Sequence, residues 1–243
     1  MKSMAHAPLF VQSMLVGLVL LALAGGLQGD LETVTARLNA RHLKMGRFLY
    51  RTVINGQAAG DSEISIQKLP DSENFIYANR VSGVFDQQWE AVATPTFGPI
   101  SAKLTFGEGG KKRPEFELNY HKGRVIGWAS GKGTIDVEVL PDTVDQRIDW
   151  AAAISQDLVP GHEFAFHVFD PGTGTSRVTG RIAGTEMVRV PAGIFEAVRI
   201  VYRIEKARGA EAYQILTNRD GPRMALKEEF PNGAVSELVQ VRE

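Results

Sequence analysis

From Gly46 onward the chain is cut into strand-length runs by Gly, Asn, Asp and Pro, and this punctuation constrains the fold more than any other feature. Runs whose side chains alternate between apolar and polar bury one face and wet the other, the pattern of an antiparallel sheet. Residues 46–54 place Phe48, Tyr50 and Ile54 on one face and Arg47, Leu49, Arg51 and Val53 on the other. Asn55-Gly56 then supplies the positive φ angles of a tight hairpin turn, which predicts a returning strand over 57–68. Further runs occupy 74–82, 87–93, 100–106, 116–120, 125–130 and 134–139, then 162–169, 176–182, 186–190, 194–205, 211–217, 224–230 and 235–241. The run 194–205 alternates most cleanly: Ile194, Val198, Ile200, Tyr202 and Ile204 share a face with Glu196, opposite Arg199, Arg203 and Glu205. Pro191-Ala192-Gly193 and Asn232-Gly233 read as turns between strands, and the glycines and like charges of 107–114 as a solvated loop.

One helix interrupts the pattern. Pro141-Asp142-Thr143 opens it, Val144, Ile148, Ala151, Ala152 and Ile154 give roughly helical spacing, and Pro160-Gly161 forbids continuation past Leu158. Asp142 or Thr143 is expected to cap its N-terminus. The fold class that follows is mainly β: strongly curved antiparallel sheet or sheets, open barrel or sandwich-like, with one inserted α-helix. We expect a single β domain over 46–243, preceded by a helical or irregular lead-in over 25–45.

Residues 1–29 have a different character. Lys2 gives a thin positive start, Met14 to Ala24 is apolar and uncharged, and Ala22-Leu23-Ala24 closes the run with small residues. This is the pattern of a secretory signal peptide, cleaved after Ala24, with Gly26 or Gly29 as other cleavage points. The competing reading is an uncleaved anchor running from Ala7 through Gln12 and Ser13. Cleavage delivers the protein to the periplasm or beyond, with no stable membrane span.

Composition excludes several chemistries. The chain has no cysteine, so it has no disulfide, thiolate metal site or lipidated cysteine. Its formal charge is −1, which gives no field for nucleic acid. No nucleophile elbow, P-loop, zincin helix or dinucleotide fingerprint occurs, so we assign no catalytic residue, cofactor or metal. His162 and His167 attract attention as ligands, but their odd separation puts them on opposite faces of a strand. Asp142, Asp145 and Asp149 read more simply as helix-start charges than as an acid-base cluster. Aromatic residues offer a softer signal: Trp89, Phe106, Trp128, Trp150, Phe164 and Phe166 are the candidates to line an apolar cleft in a curved sheet.

The segment 186–200, EMVRVPAGIFEAVRI, resembles the signature of an exported bacterial family, the domain-of-unknown-function family numbered 3108. The likeness extends to Gly46-Arg47-Phe48, Gly60, the run Tyr120 to Val125, the expected helix and Gly161, and departs from the pattern over 219–224. The resemblance implies an antiparallel β protein of the periplasm with no assigned reaction, and no catalytic residues carry over from it.

Together these readings point to an exported, non-enzymatic protein that binds a hydrophobic ligand, such as a lipid, or an envelope protein through a concave sheet face. The alternative is an envelope hydrolase with a site near His162, Glu163 and the Asp142, Asp145 and Asp149 cluster.

Overall fold

A computed structural model describes residues 36–83, 86–108, 111–207 and 209–242. The expected signal peptide over 1–24 and the first part of the lead-in lie outside these residues.

Fifteen strands form one sheet. The first eight are β1 (Gly46–Ile54), β2 (Gln57–Lys68), β3 (Phe75–Gly83), β4 (Asp86–Ala93), β5 (Pro99–Glu108), β6 (Lys111–His121), β7 (Arg124–Ala129) and β8 (Gly133–Glu138). The remaining seven are β9 (Thr143–Asp145), β10 (Glu163–Asp170), β11 (Gly174–Val190), β12 (Gly193–Lys206), β13 (Gly209–Asn218), β14 (Ala225–Glu229) and β15 (Ala234–Arg242). The order across the sheet is β8 through β1, then β15 back down to β9. Chain order therefore runs around the sheet in a circle joined at β1–β15 and interrupted between β8 and β9, neighbours in sequence that form its two edges. Every pairing is antiparallel except β9 with β10.

Six of the pairings carry a register shift, and such bulges bend and twist a strand, which lets so wide a sheet curl on itself. The alternation of β1 makes the curl visible: Phe48 and Tyr50 are buried while Arg47 and Arg51 face water. Asn55 and Gly56 take φ of 51° and 78°, as the β1–β2 turn requires. On β12, Val198, Ile200, Tyr202 and Ile204 are buried as the alternation predicts, whereas Ile194, beyond the reach of β13, is exposed.

The interior is filled from within by a short helix, α1 (Asp149–Ile154), every residue of which is buried. Ala151, Ala152 and Ala153 keep it thin enough to pack against β12, β13 and β9. This corrects the expected helix over 142–158. Thr143 and Val144 instead pair with the free edge of β10, where β-branched side chains are at home. Asp145, rather than Asp142 or Thr143, supplies the cap, accepting from the Arg147 N–H of a 3-10 turn over Gln146–Ile148. The expected loop at 107–114 is shorter than its composition suggested: β5 and β6 pair out to Glu108 and Lys111, so the basic triplet lies on a strand. The runs 176–182 and 186–190 are one strand, β11, with a shift between Ile182 and Gly184.

The described lead-in packs at the C-terminal end of α1. His42 bonds the Ser155 carbonyl at 3.1 Å through Nδ1, and the Asn39 N–H donates to Ser155 Oγ. Arg223 donates to the Ile154 carbonyl at 3.0 Å and to that of Gln156. The Arg223 guanidinium, donating to the last carbonyls of the helix, satisfies groups that have no partner within it.

Candidate functional site

Two polar assemblies surround the N-terminal end of α1, and they differ in how completely they are partnered. The first lies at the interruption of the sheet. Arg147 holds Asp145 Oδ1 through Nε at 2.5 Å, Asp170 Oδ2 through Nη1 at 2.7 Å and the Phe169 carbonyl through Nη2 at 3.2 Å. Its guanidinium carbon sits 4.5 Å from the centre of the Phe116 ring, and Tyr120 donates to Asp145 Oδ2 at 2.5 Å. Burial works against the Arg147 charge, but Asp145 outweighs it and holds the guanidinium above its ordinary pKa. The fork has a carboxylate on each side and a ring beneath it, so this assembly fastens β6 to β9 and β10.

The second assembly sits on the concave face of β12, β13 and β14. Tyr202 and Tyr213 pair across β12 and β13 with rings stacked at 5.1 Å, and Phe230 meets Tyr213 edge-on at 6.3 Å. Glu228 pairs with Ile215 and Ser236, in the same alternation as buried Leu226. Asp149, at the first turn of α1, is only 7% exposed. Its Oδ1 accepts from the Trp150 N–H at 2.6 Å. Burial pushes the Asp149 carboxyl up to about 7, against the opposing pull of that hydrogen bond and of Arg147. Burial likewise pushes Glu228 up to about 8, and the Asp149 carboxylate, first of the two to ionise, adds to the shift. Tyr202 is 1% exposed and its hydroxyl has no hydrogen-bond partner among the described residues. Burial, then the charges of Asp149 and Glu228, raises its pKa. Around this floor the rim residues Tyr213, Glu211, Lys206, Glu228 and Phe230 are half-buried. Lys206 pairs with Glu211 at 2.6 Å, and Tyr213 donates to Glu211 at 3.0 Å.

The aromatic residues expected to line a cleft do not gather in one place. Trp89, Trp150, Phe164 and Phe166 are buried in the core, Phe164 and Phe166 stacked at 6.1 Å. Phe106 is half-buried opposite Gln87, and Trp128, 44% exposed, lies on β7 away from its buried neighbours Val125 and Ala129. The candidates for a hydrolytic site are also dispersed. Asp142 bonds His167 Nδ1 at 2.9 Å, Asp145 belongs to the Arg147 assembly, Asp149 faces the interior and Glu163 is exposed. His162 precedes β10, and its Nε2 is buried without a partner. Among the described residues no group of three or more His, Asp or Glu is placed to hold a metal, and no helix is long and apolar enough to cross a membrane.

The sequence reading missed Glu228, Tyr213 and Phe230 as a set, though one signal was available. Leu226, Glu228 and Phe230 share a strand face, so Glu228 is a carboxylate in an apolar register.

Comparisons with known proteins agree with the architecture. A beta-barrel-like protein of the domain of unknown function DUF1849 from Brucella abortus superposes with a TM-score of 0.52 at 12% identity, over 82% of this chain and 98% of that one, which is a likeness of fold. A protein of YmcC-like fold from Bacteroides fragilis gives a TM-score of 0.38 at 10% identity, over 86% of this chain and 100% of that one, too low to carry an argument. No curated protein matches the sequence. The turn 191–193 that bears the family signature caps the β11–β12 hairpin, and the Ala192 N–H pins it to the Leu238 carbonyl of β15 at 3.0 Å. The DUF3108 model, described as a protein of unknown function, matches residues 47–238, almost the whole sheet, and this chain belongs to that family.

Proposed function

We propose that the chain works outside the cytoplasm as a non-catalytic binding protein that takes an amphiphilic ligand on its concave face, at the Asp149, Glu228, Tyr202 and Tyr213 assembly. The observation that carries this reading is the Tyr202 hydroxyl, buried without a hydrogen-bond partner among the described residues, its ring stacked on that of half-buried Tyr213. A buried polar group left unpaired costs roughly 1–3 kcal/mol, and a ligand that completes its hydrogen bonds recovers that cost. The half-buried Tyr213 ring, stacked over Tyr202, and Phe230 offer apolar surface beside polar groups, the combination that small-molecule sites use. Trp150, Phe164 and Phe166 are buried, whereas Tyr213 and Phe230 keep partial exposure, which favours the latter as ligand contacts. Export rests on the leader pattern at 1–29, with its apolar run and Ala22-Leu23-Ala24 closure.

Native mass spectrometry of the protein recovered from its own envelope tests the reading. We expect a bound small molecule lost on Tyr213→Ala substitution. Recovery of the wild-type protein only as an empty chain contradicts it.

A further inference from the structure

We infer that the open edge strand β8 is an interaction surface for a second copy of this chain, pairing antiparallel with the β8 of that copy about a two-fold axis at Ile135. This surface lies at the far edge of the sheet from β12, β13 and β14, and pairing there makes the sheet continuous through both copies.

The two edges of the sheet differ in what they offer. β9 is buried along its whole length, whereas every residue of β8 except Ile135 is exposed. The ladder with β7 shows which backbone groups are spare. The Val139 N–H donates to the Gly123 carbonyl at 2.9 Å, and the register continues from this pair through Val125 with Val137 and Gly127 with Ile135 to Ala129 with Gly133. Bonded and non-bonded positions alternate in an antiparallel pair, so Thr134, Asp136 and Glu138 turn their N–H and C=O groups away from β7. On the other side of β7 the Ser130 N–H donates to the Glu115 carbonyl at 2.7 Å, which fixes the same alternation independently. No strand lies beyond β8 among the described residues, so these groups form an open ladder, a template for another strand. β8 has no proline to block it, and Val137, 40% exposed, adds an apolar side chain on the face of buried Val125.

The charges select the register. A two-fold axis at Asp136 sets the two Asp136 carboxylates directly opposite each other, and one at Val137 sets Asp136 opposite Glu138; like charges so placed are destabilising. An axis at Thr134 leaves Asp136 and Glu138 facing the turn of the other copy. An axis at Ile135 pairs Thr134 of each copy with Asp136 of the other through reciprocal backbone bonds. It also brings Lys132, exposed in the turn before β8, beside Glu138 of the other copy. Arg124 holds Asp136 at 2.6 Å and one oxygen of Glu138 at 3.3 Å from the β7 side, and the Glu138 side chain still stands in water toward the open edge. Ile135 then lies against its own counterpart, with Val137 diagonal to it, so the apolar face of β8 is covered as the ladder closes.

The chain has no cysteine, so single cysteines report the register without background. Directly opposed residues at a non-bonded position have Cα atoms about 4.5 Å apart, within disulfide reach, whereas diagonal ones lie about 7–8 Å apart and beyond it. Ile135→Cys should therefore cross-link into a dimer under mild oxidation, and Asp136→Cys about tenfold more slowly. Sedimentation velocity of the purified wild-type protein should show a reversible dimer, with a dissociation constant of about 1–100 μM for so short a ladder. Lys132→Glu and Glu138→Lys, both at exposed positions, should each weaken it about fivefold, and the two together should restore it. A protein that stays monomeric up to about 1 mM overturns the pairing. Faster cross-linking through Asp136→Cys than through Ile135→Cys overturns the register, and a dimer indifferent to both charge changes overturns β8 as its interface.

Discussion

The Tyr120 hydroxyl on β6 donates to Asp145 Oδ2 on β9 at 2.5 Å, joining two strands that lie far apart in sheet order yet meet across the interruption between β8 and β9. The circle of strands is thus fastened there by side chains instead of a backbone ladder. Arg147 completes the fastening with its bonds to Asp145 and Asp170. Removing one partner of a buried ion pair strands the other's charge, a loss of about 3–5 kcal/mol. Arg147→Ala should therefore lower stability by about that amount in urea unfolding, and Tyr120→Phe by about 1–2 kcal/mol. A loss under about 1 kcal/mol for Arg147→Ala would show that the sheet holds its curl without this network.

Gly180 is expected to be intolerant of even a methyl group. A Cβ there would lie 2.3 Å from Phe164 Cζ and 2.8 Å from Tyr202 Cβ. Overpacking of this kind costs typically about 1–3 kcal/mol. Gly180→Ala should lower the unfolding midpoint and disturb the near-ultraviolet dichroism of the Tyr202 and Tyr213 stack. An unchanged spectrum would mean that the rings are not packed across this glycine.

Stability should fall as pH rises through neutrality, because of two carboxyls. Asp149 is raised from 3.8 to about 7 and Glu228 from 4.5 to about 8. The native state therefore holds protons that the unfolded chain has already lost. The stability linked to them is fully present below about pH 4 and is lost as pH climbs to about 8. Glu228→Gln and Asp149→Asn should leave acid stability nearly unchanged and raise stability at pH 8 by about 1–3 kcal/mol each, flattening the profile. A parallel profile in the variants would contradict the raised values.

The three tryptophans should separate cleanly in solution. Trp128 is 44% exposed, whereas Trp89 and Trp150 are each 7% exposed. Acrylamide should quench one emitting class, red-shifted and absent from Trp128→Phe. Because Trp128 stands on β7, away from Glu228 and Tyr202, that substitution should leave amphiphile binding as it was. Loss of binding in Trp128→Phe would move the site to the outer face of β7.

Much of the sheet was legible because alternation is a local property of side chains. β1 and β2 end where Asn55-Gly56 and the flanking polar residues say they should, and Phe48 and Tyr50 face inward as their register requires. The helix was misjudged because the spacing of Val144, Ile148 and Ala151 fits a helix locally. The free edge of β10, distant in sequence, recruits Thr143 and Val144 as a strand. Aromatic content pointed to a cleft, but Phe164 and Phe166 stack on each other in the core, a packing that no local pattern reports. The influence of the Asp149 charge on Glu228 was hidden for the same reason. Their proximity arises from the curl of the whole sheet around α1, although Glu228 in the register of Leu226 and Phe230 carried a trace of it.

The most direct measurement is a carboxyl-carbon NMR titration of Asp149 and Glu228, each identified by its Asn or Gln variant. The account predicts two coupled steps near pH 7 and 8, both well above the ordinary carboxyl range. Titration of both near pH 4 would contradict it.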